Sequence, residues 1–171
     1  FYLNRTNRSG ILKAGPIGGY DQKGNYPISA RFNKEKLKER VKLIASYKSK
    51  IKLYNMEIKD FIRKVIPRYR KDCFVYFDPP YFKKGKELYT NFFNPCDHKE
   101  LSKLILKLKH TWMITYDDVS EIEELYKGKH MKRFDINYSA ANSGKKSEII
   151  ALSHNYWPST PELEALKMNI R

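Results

Sequence analysis

The sequence is short of several things, and each shortage removes a class of protein. No run of apolar residues approaches the ~18–20 needed for a membrane span, because Lys, Arg, Asp or Glu interrupts every apolar stretch early. Cysteine is scarce. Cys73 and Cys96 form no Cys-x-x-Cys pair. None of His98, His110, His130 and His154 stands at zinc-ligand spacing from them, so neither a disulfide framework nor a structural zinc site is expected. The opening residues Phe1-Tyr2-Leu3-Asn4-Arg5 have no Met and no apolar stretch of the kind a signal peptide carries. The expectation is a reduced, cytoplasmic protein without a metal. Glycine is sparse after Gly24, with only Gly85, Gly128 and Gly144 left. The early run Ala14-Gly15-Pro16-Ile17-Gly18-Gly19 is no Gly-x-Gly-x-x-Gly fingerprint, and no Gly-Lys-Ser/Thr follows it. Pro16 also removes a backbone donor that a phosphate cradle would use. The run reads as a turn.

Acidic residues are short as well. The 171 residues hold 34 Lys and Arg against 19 Asp and Glu, a formal charge of +15. Such a balance points to a polyanionic partner. The excess is concentrated: residues 1–72 carry 19 basic and 6 acidic side chains, a net of +13, and residues 73–171 carry only +2. Within the first 33 residues Asn4, Arg5, Asn7, Arg8, Arg31 and Asn33 alternate with Tyr2, Tyr20, Tyr26 and Phe32. Arg and Lys match phosphates, Arg and Asn match base edges, and aromatic rings stack on bases. Nucleic acid is thus favoured over a merely solvated basic loop. Length and a 41% hydrophobic content suit about one folded domain with a real core.

The apolar periodicity predicts a helix from Lys34 to Tyr47 or beyond, on Leu37, Val41, Ile44, Tyr47 and Ile51. Ile51–Asn55 reads as a short strand and Glu57–Ile66 as a helix ended by Pro67. Cys73–Phe77 (CFVYF) reads as a fully buried strand. Asp97-His98-Lys99-Glu100 resembles a capping box ahead of the stripe Leu101, Leu104, Ile105 and Leu108. Trp112–Tyr116 reads as a second buried strand, and Asp118 to Tyr126 as a short acidic helix. Lys132–Tyr138 and Glu148–Ser153 read as a strand pair around the turn-rich Ser139–Gly144. A last helix is expected from Pro158. The alternation β-α-β-α-β-α-β-β predicts an α/β fold with a mostly parallel sheet and an antiparallel edge pair. The expected organisation is a recognition segment over 1–50, a catalytic half-domain over 51–155 and a tail over 156–171.

The sharpest motif is Asp78-Pro79-Pro80-Tyr81, directly after the CFVYF strand. Ligands of open α/β sheets bind beyond the carboxyl ends of strands, and Pro79 forces Asp78 to be extended. Two prolines in succession strip the turn of N–H groups. It is left with acceptors, the Asp78 carboxylate and the Pro79 carbonyl, beside the flat face of Tyr81. Acceptors next to a face suit a planar ring bearing an amino group, such as adenine. Asp-Pro-Pro alone is a common end to a strand; Tyr81, the apolar strand before it and the basic region upstream make the difference.

With these residues the sequence resembles the Dam-like DNA adenine methyltransferases, in which Asp-Pro-Pro-Tyr after a hydrophobic strand is the catalytic signature. Asn4–Leu12 and Ala30-Arg31-Phe32-Asn33 resemble that family's recognition region. Leu88-Tyr89-Thr90 with Phe92-Phe93 resembles its Tyr-rich loop, Trp112–Asp117 its next strand, and Ser139–Lys146 with Glu148–Leu152 its final hairpin. The ordered match covers about residues 1–155.

The resemblance implies a Rossmann-like sheet, double-stranded DNA as partner and S-adenosylmethionine as methyl donor. It implies base flipping, with the target adenine stacked on Tyr81. Asp78 and the Pro79 carbonyl would accept from the adenine amino group and stabilise the positive charge that grows on its nitrogen. Arg5, Asn7, Arg8, Arg31, Asn33 and Tyr89 become candidate DNA contacts. Asp78, Met56 and Glu57 become candidate cofactor contacts, although Glu57 equally suits the first turn of a helix.

The family's Gly-rich cofactor loop is not found in residues 1–171. In the Dam-like order it would lie before Phe1. The expectations that follow are weak cofactor binding and no transfer by this chain alone, and an open or substituted sheet edge at Cys73–Phe77. The alternative from another class is a non-catalytic DNA-binding remnant or specificity module. An RNA adenine methyltransferase fits less well, since those usually carry Asn in place of the Asp.

Overall fold

A computed structural model describes the chain except for residue 84 and residues 86–90, 138–144, 155–168 and 171. Two compact units are present, Phe1–Asn55 and Met56–Arg171, and each is described by itself. No helix among the described residues is long and apolar enough to cross a membrane.

The first unit is mostly loop held by specific hydrogen bonds. Helix α1 (Tyr2–Thr6) leads into a turn in which the Arg8 N–H donates to the Gly15 carbonyl at 3.0 Å and the Ile17 N–H to the Thr6 carbonyl at 2.8 Å. The glycine run forms turns, as its composition predicts. Gly18 has φ +84°, and a Cβ there would stand 2.6 Å from the Tyr26 carbonyl oxygen, so glycine alone fits. Helix α2 (Lys34–Ser46) starts where the Asn33 side chain accepts from the Lys36 N–H at 3.1 Å. Only Leu37 of its apolar stripe is buried; Val41, Ile44 and Tyr47 are exposed. The strand expected at Ile51–Asn55 does not form. A 3-10 turn over Lys48–Lys50 ends the helical region, and Leu53 is 91% exposed. With no ladder partner among the described residues, apolar composition alone does not make a strand.

The second unit carries the sheet. Helix α3 (Ile58–Lys64) precedes β1 (Phe74–Phe77); α4 (Pro95–Leu106) precedes β2 (Thr111–Asp117); α5 (Ser120–Leu125) precedes β3 (His130–Asn137); then come β4 (Lys145–Leu152) and the short β5 (Asn169–Ile170). The spatial order is β1-β2-β4-β3-β5. β1 pairs parallel with β2, while the β2–β4, β3–β4 and β3–β5 pairs are antiparallel. The mostly parallel sheet expected from the alternation is therefore corrected. β1, β2 and β3 do share one direction, but β4 turns back from β3 and enters between it and β2. The expected tail helix from Pro158 lies outside the described residues.

Two further expectations change. β1 is an edge strand among the described residues, as expected, and it is not fully buried: Phe74 and Tyr76 are exposed, Val75 half-buried and Phe77 buried. A strand in a parallel pair is sealed on both sides only where both faces are covered. Helix α4 starts earlier than expected. Asn94 is its cap and Asp97 its third residue, each side chain bonding the other's backbone N–H at 3.0 and 3.1 Å. This is a capping box shifted by one turn.

The core lies between the sheet and helices α3, α4 and α5. Ile62 of α3, Leu101 and Ile105 of α4, and Ile122 of α5 pack with Phe77, Trp112, Ile114 and Tyr116. Lys59 of α3 reaches Asp97 at 3.4 Å and Glu100 at 2.6 Å on α4. The carboxyl ends of β1 and β2 and the start of β4 consequently share one rim of the sheet.

Candidate functional site

β1 delivers Phe77 into the core and then turns at the rim. Asp78 is exposed, Pro79 buried, and Pro80 and Tyr81 half-buried. The turn is held from two neighbouring strands. On β2, the Thr115 hydroxyl donates to Asp78 Oδ1 over a long 3.5 Å, and Thr115 Oγ1 also lies 2.8 Å from the Tyr76 hydroxyl. One residue pair further along the rim, Asp117 accepts from two consecutive amides, Phe82 N–H at 2.8 Å and Lys83 N–H at 2.9 Å. From β4, Glu148 accepts from the Tyr81 hydroxyl.

Glu148 is buried. Burial raises its carboxyl above the usual range, Asp78 and Asp117 push the same way, and the Tyr81 hydrogen bond pulls back. Behind the turn lies a ring cluster. His98 packs between Phe82, Phe93 and Tyr116, with ring centroids 5.0, 5.3 and 5.6 Å away. Its Nδ1 lies 2.9 Å from the Tyr116 hydroxyl, and its Nε2 has no hydrogen-bond partner among the described residues. Burial pushes the Tyr116 phenol far up, so its oxygen stays protonated. Among the described residues no group of three His, Cys, Asp or Glu side chains is placed to hold a metal ion.

An open pocket of about 200 Å³ sits beside the turn, lined by Ile58, Phe93, Leu101 and the run Tyr76 to Pro80. Met56 is exposed, and Glu57 caps α3 through its backbone without a side-chain bond. Ile58, the next residue, is a pocket wall. Sites that bury a whole cofactor-sized ligand measure roughly 300–1,000 Å³. The pocket formed by the described residues is smaller than that range.

The candidate DNA contacts occupy varied environments. Arg5 donates twice to the Arg31 carbonyl, at 3.0 and 2.8 Å. Asn7 is buried and donates to the Ile11 and Leu12 carbonyls at 3.3 and 2.8 Å. Arg8 is exposed and its Nε donates to the Ala14 carbonyl at 3.0 Å. Arg31 is half-buried, and Asn33 caps α2. Tyr89 lies outside the described residues. The structure thus brings Asp78, Pro79, Pro80 and Tyr81 together, and Arg5 with Arg31.

Three side chains that hold the turn, Thr115, Asp117 and Glu148, were not read as site residues from sequence. A usable signal existed for each. Polar residues at the carboxyl end of an apolar strand (Thr115-Tyr116-Asp117), and an acid opening the apolar run Glu148-Ile149-Ile150-Ala151-Leu152, both place polar groups on the rim of a sheet.

Residues 1–140 match the family model of the D12 class N6 adenine-specific DNA methyltransferases. No curated protein matches the sequence.

Proposed function

Because the chain belongs to the D12 class N6 adenine-specific DNA methyltransferases, we propose that its Asp78-Pro79-Pro80-Tyr81 turn receives an adenine turned out of duplex DNA and directs a methyl group to its exocyclic nitrogen. The observation that carries this reading is the exposed Asp78 carboxylate at the strand end, tethered by Thr115 beside an open pocket. The amino lone pair of adenine is delocalised into the ring and is a weak nucleophile. Acceptors at Asp78 Oδ and the Pro79 carbonyl, both hydrogen-bonded to the amino group, localise that pair on nitrogen. They also stabilise the positive charge that builds there.

Asp78 need not remove a proton, since the methylated nitrogen loses one afterwards. Tyr81 supplies a stacking face that offsets the few kcal/mol of unstacking. The methyl donor in this reading is S-adenosylmethionine, whose sulfonium supplies an electrophilic methyl when bound. Asp78 and the Met56-Glu57 corner would hold one end of it.

The basic residues 1–72 make the DNA contacts in this reading, with Arg8, Arg31 and the exposed Lys38 and Lys42 of α2 at phosphates and Arg5 bracing the Arg31 backbone. A second reading is a DNA-binding module without transfer, which the concentration of charge in residues 1–72, a net of +13, suits equally well. The test is expression in a host whose DNA lacks N6-methyladenine, followed by mass spectrometry of its nucleosides. The methyltransferase reading expects N6-methyladenine when residues 1–171 are expressed together with a segment that supplies the Gly-rich cofactor loop, and none when they carry Asp78→Ala, which should still bind DNA. DNA binding without any methylation favours the module.

A further inference from the structure

We propose that Glu148 is a positioning residue for the site: by accepting from the Tyr81 hydroxyl it sets where the Tyr81 ring stands, and so where a purine can stack. The inference rests on the adenine reading above and adds to it a residue outside the Asp-Pro-Pro-Tyr turn.

The geometry is specific. Asp117 and Glu148 are register partners on antiparallel β2 and β4. Between them they take three consecutive residues of the turn: Glu148 holds the Tyr81 side chain, and Asp117 holds the Phe82 and Lys83 backbones. Like charges directly opposite each other on a sheet are unfavourable, and a buried carboxylate is costly to desolvate. Glu148 carries both penalties, since it is buried and faces Asp117 and Asp78. An apolar side chain in the same place would pack at lower cost. What an acid supplies and an apolar chain cannot is a directional acceptor, and here it is spent on the hydroxyl of Tyr81, the aromatic residue of the Asp-Pro-Pro-Tyr turn. With the Phe82 and Lys83 amides held by Asp117, the Glu148 bond fixes the position of the Tyr81 hydroxyl and so constrains where its ring stands.

The experiment uses the full chain and a single-stranded oligonucleotide carrying 2-aminopurine and a terminal dye. Dye anisotropy reports binding of the strand. Quenching of 2-aminopurine reports stacking of a purine on an aromatic ring. The native chain should bind and quench. Tyr81→Ala, read at protein concentrations where anisotropy shows the strand fully bound, should lose the quenching. Glu148→Ala should weaken quenching about threefold to tenfold, the range for one lost hydrogen bond, with anisotropy unchanged. Tyr81→Phe, which leaves Glu148 in place, should do the same, and combining it with Glu148→Ala should cost nothing further. Glu148→Gln, which keeps an acceptor, should quench like the native chain.

If Glu148→Ala or Tyr81→Phe quenches like the native chain while Tyr81→Ala does not, the role of Glu148 is overturned and the adenine reading stands. Equal losses from Glu148→Gln and Glu148→Ala also overturn it. If Tyr81→Ala still quenches, the adenine reading itself fails.

Discussion

The Nδ1 of His98 and the hydroxyl of Tyr116 lie 2.9 Å apart, and both side chains are only 1% exposed. Burial holds the His98 pKa below its ordinary 6.5, against the pull of Asp117 and Asp97. The folded protein thus binds this proton less tightly than the unfolded chain does. The contribution to stability is whole above the unfolded value and falls as pH drops through it toward the lower folded value. Glu148 acts with the opposite sign, because its raised pKa makes acidification relieve a penalty. Thermal melts at about pH 7.5 and about pH 5.5 should show a loss of stability on acidification. His98→Phe should shrink that loss and Glu148→Gln should steepen it.

Asp117 uses both carboxylate oxygens on the Phe82 and Lys83 amides. Hydrogen bonds to a charged group are worth about 1.5–3 kcal/mol. Asp117→Ala should therefore speed hydrogen exchange at those two amides by roughly tenfold to a hundredfold. Amides in the centre of β2 should keep their protection.

DNA affinity should fall steeply with salt. Each neutralised phosphate adds about 0.9 to the slope of log K against log salt. Lys38 and Lys42 are exposed on α2. On the DNA reading, the double substitution Lys38→Gln with Lys42→Gln should lower the slope by about 2. Titrations across a salt series, followed by anisotropy, measure it.

The capping box at Asn94 and Asp97 anchors the helix that carries His98. Asn94→Ala should destabilise the protein by about 1 kcal/mol, and Asn94→Asp should be nearly neutral. Denaturant midpoints at constant m decide this.

Much of the site's frame was legible because it rests on local chemistry. Two prolines after a four-residue apolar strand end that strand wherever the chain goes, so Asp78 had to stand at a strand end. The stripe Leu101 and Ile105 had to face a core, and does. What could not be read depends on partners distant in sequence. Phe74 and Tyr76 have the side chains of a buried strand, yet lie on an edge. Ile51 and Leu53 have strand composition but no ladder among the described residues. The link from Glu148 to Tyr81 spans 67 residues, and no local pattern announces it. Asn7 shows the converse: an amide suited to a base edge is spent on two carbonyls of its own loop.

The placement of β4 between β2 and β3 governs the order in which the protein can mature during synthesis. A nascent chain that has emerged only as far as β3 holds the Asp78–Tyr81 turn but not Glu148, its anchor. It also leaves the long side of β2 unpaired, an open edge that invites association with other chains. Both conditions end at once when residues 145–152 slot in. Non-local pairing of this kind is slow relative to hairpins and helices. The strand that closes the open side of β2 is thus the same one that brings the acceptor for the Tyr81 hydroxyl.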